Sequence, residues 1–132
     1  MKKKNVVAIV PARGGSKSIH YKNLKKIKNK PLIYFILKTL IQVKSIDRII
    51  VSTEDIKIKK AVRKLFPKLE IIDRSKKLST DRIALTEVVK HVAKAINNKD
   101  YKPDIVLQVA PTCPYIKKKT IEDIVKKLKN KQ

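Results

Sequence analysis

The sequence predicts an α/β fold of three layers, in which helices cover both faces of a parallel sheet. Short runs rich in Val and Ile alternate along the chain with longer segments of helical periodicity. The expected strands are residues 5–10, 48–52, 70–73 and 104–109, and the expected helices are residues 31–43, 56–66, 80–97 and 120–130. Because strands that alternate with helices pair in parallel through right-handed crossovers, we expect no antiparallel hairpin in the first 110 residues.

The first two strands and the helix between them have clear local signals. The strand segments are short and almost continuously apolar, which is typical of strands covered on both faces. Pro31 fits the first turn of the first helix. Glu54 and Asp55 follow the second strand, where carboxylates favour the N-terminus of the next helix.

The later helices are amphipathic. In the second helix, Ile58 and Val62 lie on an apolar face and lysines occupy the opposite face, and the third helix repeats this pattern. Thr120 and Asp123 resemble a capping box at the start of the last helix. Each helix therefore has one face suited to packing against the sheet.

The loop after the first strand holds Gly14 and Gly15, the two glycines of the sequence. Glycine lets backbone N–H groups approach a ligand closely, and successive N–H groups in a turn form a concavity that binds anions. The loop also contains the cationic or hydroxyl side chains of Arg13, Ser16, Lys17 and Lys22. This combination predicts a polyphosphate site, and the alternative is an ordinary turn in a lysine-rich protein.

The polar segments share one position relative to the strands. Residues 13–23, 53–55, 74–81 and 108–114 each follow a predicted strand. Ligands of open parallel sheets bind beyond the carboxyl ends of the strands. We therefore expect these four segments to converge on one site.

Two common phosphate motifs do not occur in the sequence. The P-loop needs a Gly-Lys-Ser or Gly-Lys-Thr, and the dinucleotide fingerprint needs three spaced glycines. The fingerprint also needs an acidic residue roughly 20 positions onward, but Glu54 lies far beyond that distance from Gly14.

The composition limits the other classes of function. The formal net charge is +23, but lysines occur in every segment and aromatic residues make up only 5% of the chain, so we expect no specific nucleic-acid binding. No apolar run is long enough for a membrane span. A single cysteine, Cys113, cannot form an internal disulfide. These features favour a cytoplasmic protein of one domain.

The segment VPARGGSKSIHYKNL at residues 10–24 resembles the motif IPARGGSKGIPxKNL that opens the acylneuraminate cytidylyltransferases, also called CMP-sialic acid synthetases. Four further segments match family elements in the same order: KPLIY at 30–34, VSTE at 51–54, RSKKLSTD at 74–81 and LQVAPTCP at 107–114. Because five ordered matches span almost the whole chain, the sequence is identified as a member of this family.

The resemblance implies a Rossmann-like nucleotidyltransferase fold, with the predicted strands in the order 3-2-1-4. It implies an enzyme that transfers a cytidylyl group from CTP to an acidic sugar of the sialic type, with eight or nine carbons. The products are pyrophosphate and a CMP-sugar for cell-surface glycan synthesis. Mg²⁺ is the implied cofactor, and a homodimer is implied only as an option for full-length family members.

The resemblance also assigns residues. Arg13 and Lys22 are implied to be catalytic and to bind the triphosphate. The other implied nucleotide-binding residues are Gly14, Gly15, Ser16, Lys17, Asn23, Arg74 and Asp81, with Asn23 at ribose or phosphate and Arg74 and Asp81 near cytosine. Gln108 and Thr112 are implied to face the sugar, and the metal ligands are unknown.

The chain departs from the family pattern in composition and length. Ser18 and His20 replace glycine and proline, and Ala110 replaces a glutamine. Gln108 lies two residues before Ala110 and therefore on the same face of a strand. Family enzymes continue into a second half with dimer contacts and metal-binding aspartates, so residues 1–132 are expected to be a nucleotide-binding domain without that half.

Several alternatives remain open at this stage. The chain could be a truncated relative that binds nucleotide without turnover, or a basic binding protein that reuses the fold. Lys17 and Lys22 could be solvated, Arg74 could form a surface ion pair with Asp73 or Asp81, and Asp81 could favour a helix start. His20, His91 and Cys113 are expected to have no role in the site.

Overall fold

The computed structural model describes residues 3–14, 21–79, 84–112 and 115–131. The strands are β1 (Val6–Pro11), β2 (Lys26–Ile27), β3 (Lys30–Pro31), β4 (Arg48–Thr53), β5 (Glu70–Asp73) and β6 (Ile105–Gln108). The helices are α1 (Leu32–Ile41), α2 (Ile56–Leu65), α3 (Leu85–Ile96) and α4 (Lys118–Lys129). None of the helices within these described ranges is both long and apolar enough to cross a bilayer.

The central sheet has four parallel strands in the order β5-β4-β1-β6. Strand β1 lies between β4 and β6, where Ile9 is opposite Ile50 and Ala8 is opposite Leu107. In terms of the predicted strands this is the order 3-2-1-4, so both the parallel sheet and its order are confirmed.

The two faces of the sheet form separate apolar cores, because alternate side chains of a strand point to opposite faces. Val6, Ala8 and Val10 of β1 belong to a core that also includes residues of α1, α2 and α4. Val7 and Ile9 belong to the other core, which includes Val92 and Ile96 of α3. The three predicted layers are therefore present, with three of these helices on one face and one on the other.

The expectation of no antiparallel hairpin is wrong. Strands β2 and β3 pair antiparallel, outside the central sheet, with Lys26 opposite Pro31. The two loop residues, Lys28 and Asn29, have φ of 51° and 67°. A two-residue loop with both residues in this region is the tight turn that suits a hairpin, but the sequence lacks the glycine that usually marks it.

The starts of helices α3 and α4 differ from the predicted starts. Helix α3 begins at Leu85 instead of residue 80, and residues 80–83 lie outside the described residues. The capping box at Thr120 is wrong, because α4 begins at Lys118 and no side chain caps it. Ile116 and Ile121 both pack in the larger core, at the spacing of a hydrophobic staple, which accounts for the earlier start.

Candidate functional site

The carboxyl ends of β1, β4, β5 and β6 lie at one edge of the sheet, because the strands are parallel. Backbone hydrogen bonds extend the pairing one residue beyond the strand ends: Ala12 N to Ser52 O (2.9 Å), Arg74 N to Thr53 O (3.0 Å) and Val109 N to Ile9 O (3.0 Å). The first residues after these strands thus lie together at this edge, as the sequence predicts.

The two described ends of the first loop, Gly14 and Tyr21, are held together. The Tyr21 N–H donates to the carbonyl of Gly14 at 3.2 Å. The Tyr21 hydroxyl donates to Oδ2 of Asp55 at 2.9 Å, and this hydrogen bond raises the pKa of Tyr21. Oδ1 of Asp55 accepts the N–H groups of Lys57 and Ile58 at 2.8 and 3.1 Å, which confirms Asp55 as an N-terminal carboxylate of α2.

Gly14 is required by close packing. A Cβ at this position would lie 2.4 Å from Oδ2 of Asp55, and φ of Gly14 is not positive. The Gly14 N–H donates to Oε1 of Glu54 at 2.8 Å. Two successive carboxylates, Glu54 and Asp55, therefore hold the start of the loop against α2.

Asn23 and Lys22 lie just after the loop. Asn23 is buried, and its Nδ2 donates to the carbonyl of Arg13 at 3.0 Å. Lys22 begins a short 3-10 turn, Lys22–Leu24. Asn23 thus shapes the backbone at Arg13, in addition to the ligand contact that the resemblance implies.

Arg74 is buried, so its interpretation as a surface ion pair with Asp73 is wrong. The pairing with Asp81 is not tested, because Asp81 lies outside the described residues. The side chain of Arg74 is 3% exposed, and its Nη2 lies 3.8 Å from Oε2 of Glu54. Asp73 pairs instead with Lys59. Burial lowers the pKa of Arg74, Glu54 opposes that shift, and nearby Arg13 lowers the pKa further.

Several buried polar atoms near this edge lack a hydrogen-bond partner. In the part of the chain that the structure describes, they include Ser52 Oγ, Glu54 Oε2, and Nε and Nη2 of Arg74. Buried polar atoms are usually hydrogen-bonded. A cluster of unpaired donors and acceptors where parallel strands end is therefore suited to polar groups of a ligand.

The residues expected to face the sugar lie on the other side of β1. Gln108 ends β6, and both Gln108 and Thr112 are exposed. Gln108 lines a mainly apolar groove of 340 Å³ between the end of β6 and α4. Exposure leaves both side chains accessible to a ligand, and their contact with a sugar stays a prediction.

Some predicted residues cannot be placed. Gly15, Ser16, Lys17, His20, Asp81 and Cys113 lie outside the described residues. Within the described ranges, no group of three His, Cys, Asp or Glu side chains could hold a metal ion.

Sequence reasoning missed the contacts of Glu54 and Tyr21 and the unpaired Oγ of Ser52. Glu54 was expected only to favour the N-terminus of α2, but its carboxylate contacts Gly14 and approaches Arg74. The signal that could have revealed these contacts is the position of Glu54 directly after β4, which pairs with both β1 and β5. Tyr21 and Ser52 carried no signal that distinguishes them from ordinary loop and strand residues.

Comparisons with known proteins agree with this fold. The family model described as "Cytidylyltransferase" matches residues 7–132. Pseudaminic acid cytidylyltransferase of Campylobacter jejuni is 29% identical over 121 residues, which are 92% of this chain and 52% of that protein. N-acylneuraminate cytidylyltransferase of Escherichia coli is 29% identical over 110 residues, which are 83% of this chain and 25% of that protein.

Solved structures share the fold. The structure of CMP:2-keto-3-deoxy-manno-octonic acid synthetase complexed with CTP has a TM-score of 0.81 at 22% identity, over 96% of this chain and 48% of that one. The chain therefore spans about half the length, or less, of these relatives.

Proposed function

The chain belongs to the cytidylyltransferase family, and we propose that it binds CTP at the carboxyl edge of its sheet for transfer of the cytidylyl group to an acidic sugar. The observation that carries the proposal is the meeting of the Arg13–Gly14 segment with buried Arg74 and Glu54 at this edge. The sugar class follows the names of the relatives, which act on pseudaminic and N-acylneuraminic acids.

Nucleotidyl transfer depends mainly on positioning and on neutralising the charge of the phosphates. Arg13 and Lys22 flank the loop and are proposed to bind the triphosphate. Asn23 fixes the backbone of Arg13 through its carbonyl. The Gly14 N–H already donates to Glu54, so Gly14 supports the loop from within, and its contact with a phosphate stays a prediction.

Arg74 is proposed to bind the base side of the nucleotide, because its unpaired donors lie at the end of β5. Gln108 and Thr112 are proposed to face the sugar. The sialic type of that sugar, the role in glycan synthesis, the homodimer and the cytoplasmic location remain predictions. Since the described residues supply no metal cluster, no step is assigned to Mg²⁺.

A second candidate function is nucleotide binding without turnover. It is favoured by the lack, among the described residues, of a group of three His, Cys, Asp or Glu side chains that could hold a metal ion. A metal ion that bridges phosphates supplies several kcal/mol of transition-state stabilisation. We therefore expect residues 1–132 alone to bind CTP but to turn over roughly a thousandfold or more below typical enzymes.

Two measurements test these proposals. Titration calorimetry should show that CTP binds more tightly than GTP, and equal affinity for both would contradict the CTP site. Pyrophosphate release should then be measured with CTP, Mg²⁺ and a panel of acidic sugars of the sialic type. Turnover in the ordinary range of about 1–10³ s⁻¹ would exclude the binding-only alternative.

A further inference from the structure

Glu54 connects two loops that belong to different strands. It directly follows β4, which lies between β1 and β5 in the sheet. Its Oε1 accepts the N–H of Gly14, after β1, at 2.8 Å. Its Oε2 lies 3.8 Å from Nη2 of Arg74, after β5. One carboxylate therefore reaches the neighbouring loops on both sides.

The contact with Arg74 is an attraction without a hydrogen bond. A separation of 3.8 Å is too long for a hydrogen bond, and Oε2 of Glu54 and Nε and Nη2 of Arg74 are all buried without partners among the described residues. A buried guanidinium is costly unless a negative charge lies nearby. Glu54 supplies that charge and leaves the donors of Arg74 open to a ligand.

We infer that Glu54 is a positioning residue of the nucleotide site, which holds Arg74 and the Gly14 amide in place without touching the nucleotide. This inference rests on the proposed binding of CTP. The inference extends that proposal, because it assigns part of the affinity for CTP to the side chain of Glu54, which acts through Arg74. Its consequence is that removing the charge of Glu54 weakens CTP binding only while Arg74 is present.

A double-mutant cycle tests this dependence, with CTP affinity measured by calorimetry. Glu54→Gln keeps an acceptor for the Gly14 N–H and removes the charge beside Arg74. We expect it to raise the Kd for CTP about tenfold, which corresponds to about 1.4 kcal/mol. In a chain that already carries Arg74→Gln, the same change should alter the Kd less than about twofold.

The matched control is Glu70→Gln, which removes a carboxylate paired with an arginine at the opposite end of the same two strands. It should leave the Kd unchanged, and an equal loss in this control would overturn the inference because it would indicate a general effect on the fold. An unchanged Kd in Glu54→Gln, or an equal loss with and without Arg74, would also overturn it.

Two further outcomes are distinguishable. If the wild-type chain binds no CTP, the proposed function fails and this inference fails with it. If Glu54→Gln does not fold, as judged by circular dichroism, Glu54→Asp replaces it, because Asp keeps the charge but shortens its reach to Gly14 and Arg74. We expect a smaller rise in Kd for that variant, and an unchanged Kd would overturn the inference.

Discussion

Strands β4 and β5 are joined by a glutamate–arginine pair at each end, and the two pairs differ sharply. At the amino end, Arg48 donates to both carboxylate oxygens of Glu70, at 2.9 and 2.5 Å, and the side chains are 28% and 42% exposed. At the carboxyl end, Arg74 and Glu54 approach only to 3.8 Å, and their side chains are 3% and 18% exposed.

The two pairs differ in how fully they satisfy their own polar atoms, and this difference supports the proposal that the carboxyl-end pair serves the nucleotide site. Arg48 and Glu70 form two hydrogen bonds with each other, and these hydrogen bonds raise the pKa of Arg48. Arg74 and Glu54 are more deeply buried yet keep unpaired polar atoms. An unsatisfied cluster is costly, and it lies at the edge where ligands of parallel sheets bind.

The largest effect on stability is expected from Glu54→Gln. This change leaves the buried charge of Arg74 without its neighbouring carboxylate, and breaking a buried pair from one side costs about 3 kcal/mol or more. Urea denaturation should show this loss in the free energy of unfolding. A loss below about 1 kcal/mol would mean that the carboxyl-end pair behaves like a surface pair.

Replacing both members separates stability from binding. The double variant Glu54→Gln, Arg74→Met removes both charges, and replacing a whole buried pair is often neutral or stabilising. We expect its free energy of unfolding to return to within about 1 kcal/mol of wild type while its Kd for CTP stays raised to the value of Arg74→Gln alone. Wild-type CTP affinity in this variant would contradict the role of Arg74 in the nucleotide site.

The next effect concerns binding at the same edge. Arg13→Ala should weaken CTP binding by about 1.5–3 kcal/mol, the range for hydrogen bonds that involve charged groups. Arg63→Ala is the matched control, because Arg63 lies on the exposed face of α2. Equal CTP affinity of Arg13→Ala and wild type by calorimetry would leave the Arg13 loop with a structural role only.

The comparison of these pairs also shows what the sequence could and could not predict. Alternating apolar segments were enough for the parallel sheet, because burial on both faces leaves a continuous Val and Ile signal. The family motifs pointed to Arg13 and Arg74. The contact between Arg74 and Glu54 was missed, because it depends on the direction and reach of side chains beyond the ends of β4 and β5, which the strand order alone does not fix. The expected partners Asp73 and Asp81 are nearer in sequence.

Local signals failed where packing competes with them. Thr120 and Asp123 match a capping box, yet α4 begins at Lys118, because the partly buried Ile116 and the buried Ile121 both pack in the larger core. The prediction of Asp55 as an N-terminal carboxylate is confirmed. Its side chain caps α2, and the same side chain packs close to Gly14 and accepts the hydroxyl of Tyr21. Agreement between local and tertiary demands is what made that prediction succeed.

A smaller effect is expected at Asp55. Asp55→Ala removes the cap of α2 and the acceptor for the Tyr21 hydroxyl, and loss of a cap typically costs about 1 kcal/mol. Asp55→Asn is the control, because asparagine caps helices about as well as aspartate. In thermal denaturation, the Tm of Asp55→Asn should lie near that of wild type and the Tm of Asp55→Ala should lie below it. Equal Tm values for the two variants would exclude the helix cap as the source of the effect.

The smallest effect is expected from Glu70→Gln at the amino end. Arg48 stays 28% exposed and keeps its position over the ring of Tyr101, with the guanidinium carbon 4.6 Å from the ring centroid. Water can therefore solvate the charge that loses its partner, and exposed pairs contribute about 0–1 kcal/mol. At about 1 M salt the screening length falls to about 3 Å, so the difference from wild type in urea denaturation should shrink further. A loss as large as that of Glu54→Gln, unchanged by salt, would show that burial does not separate the two pairs.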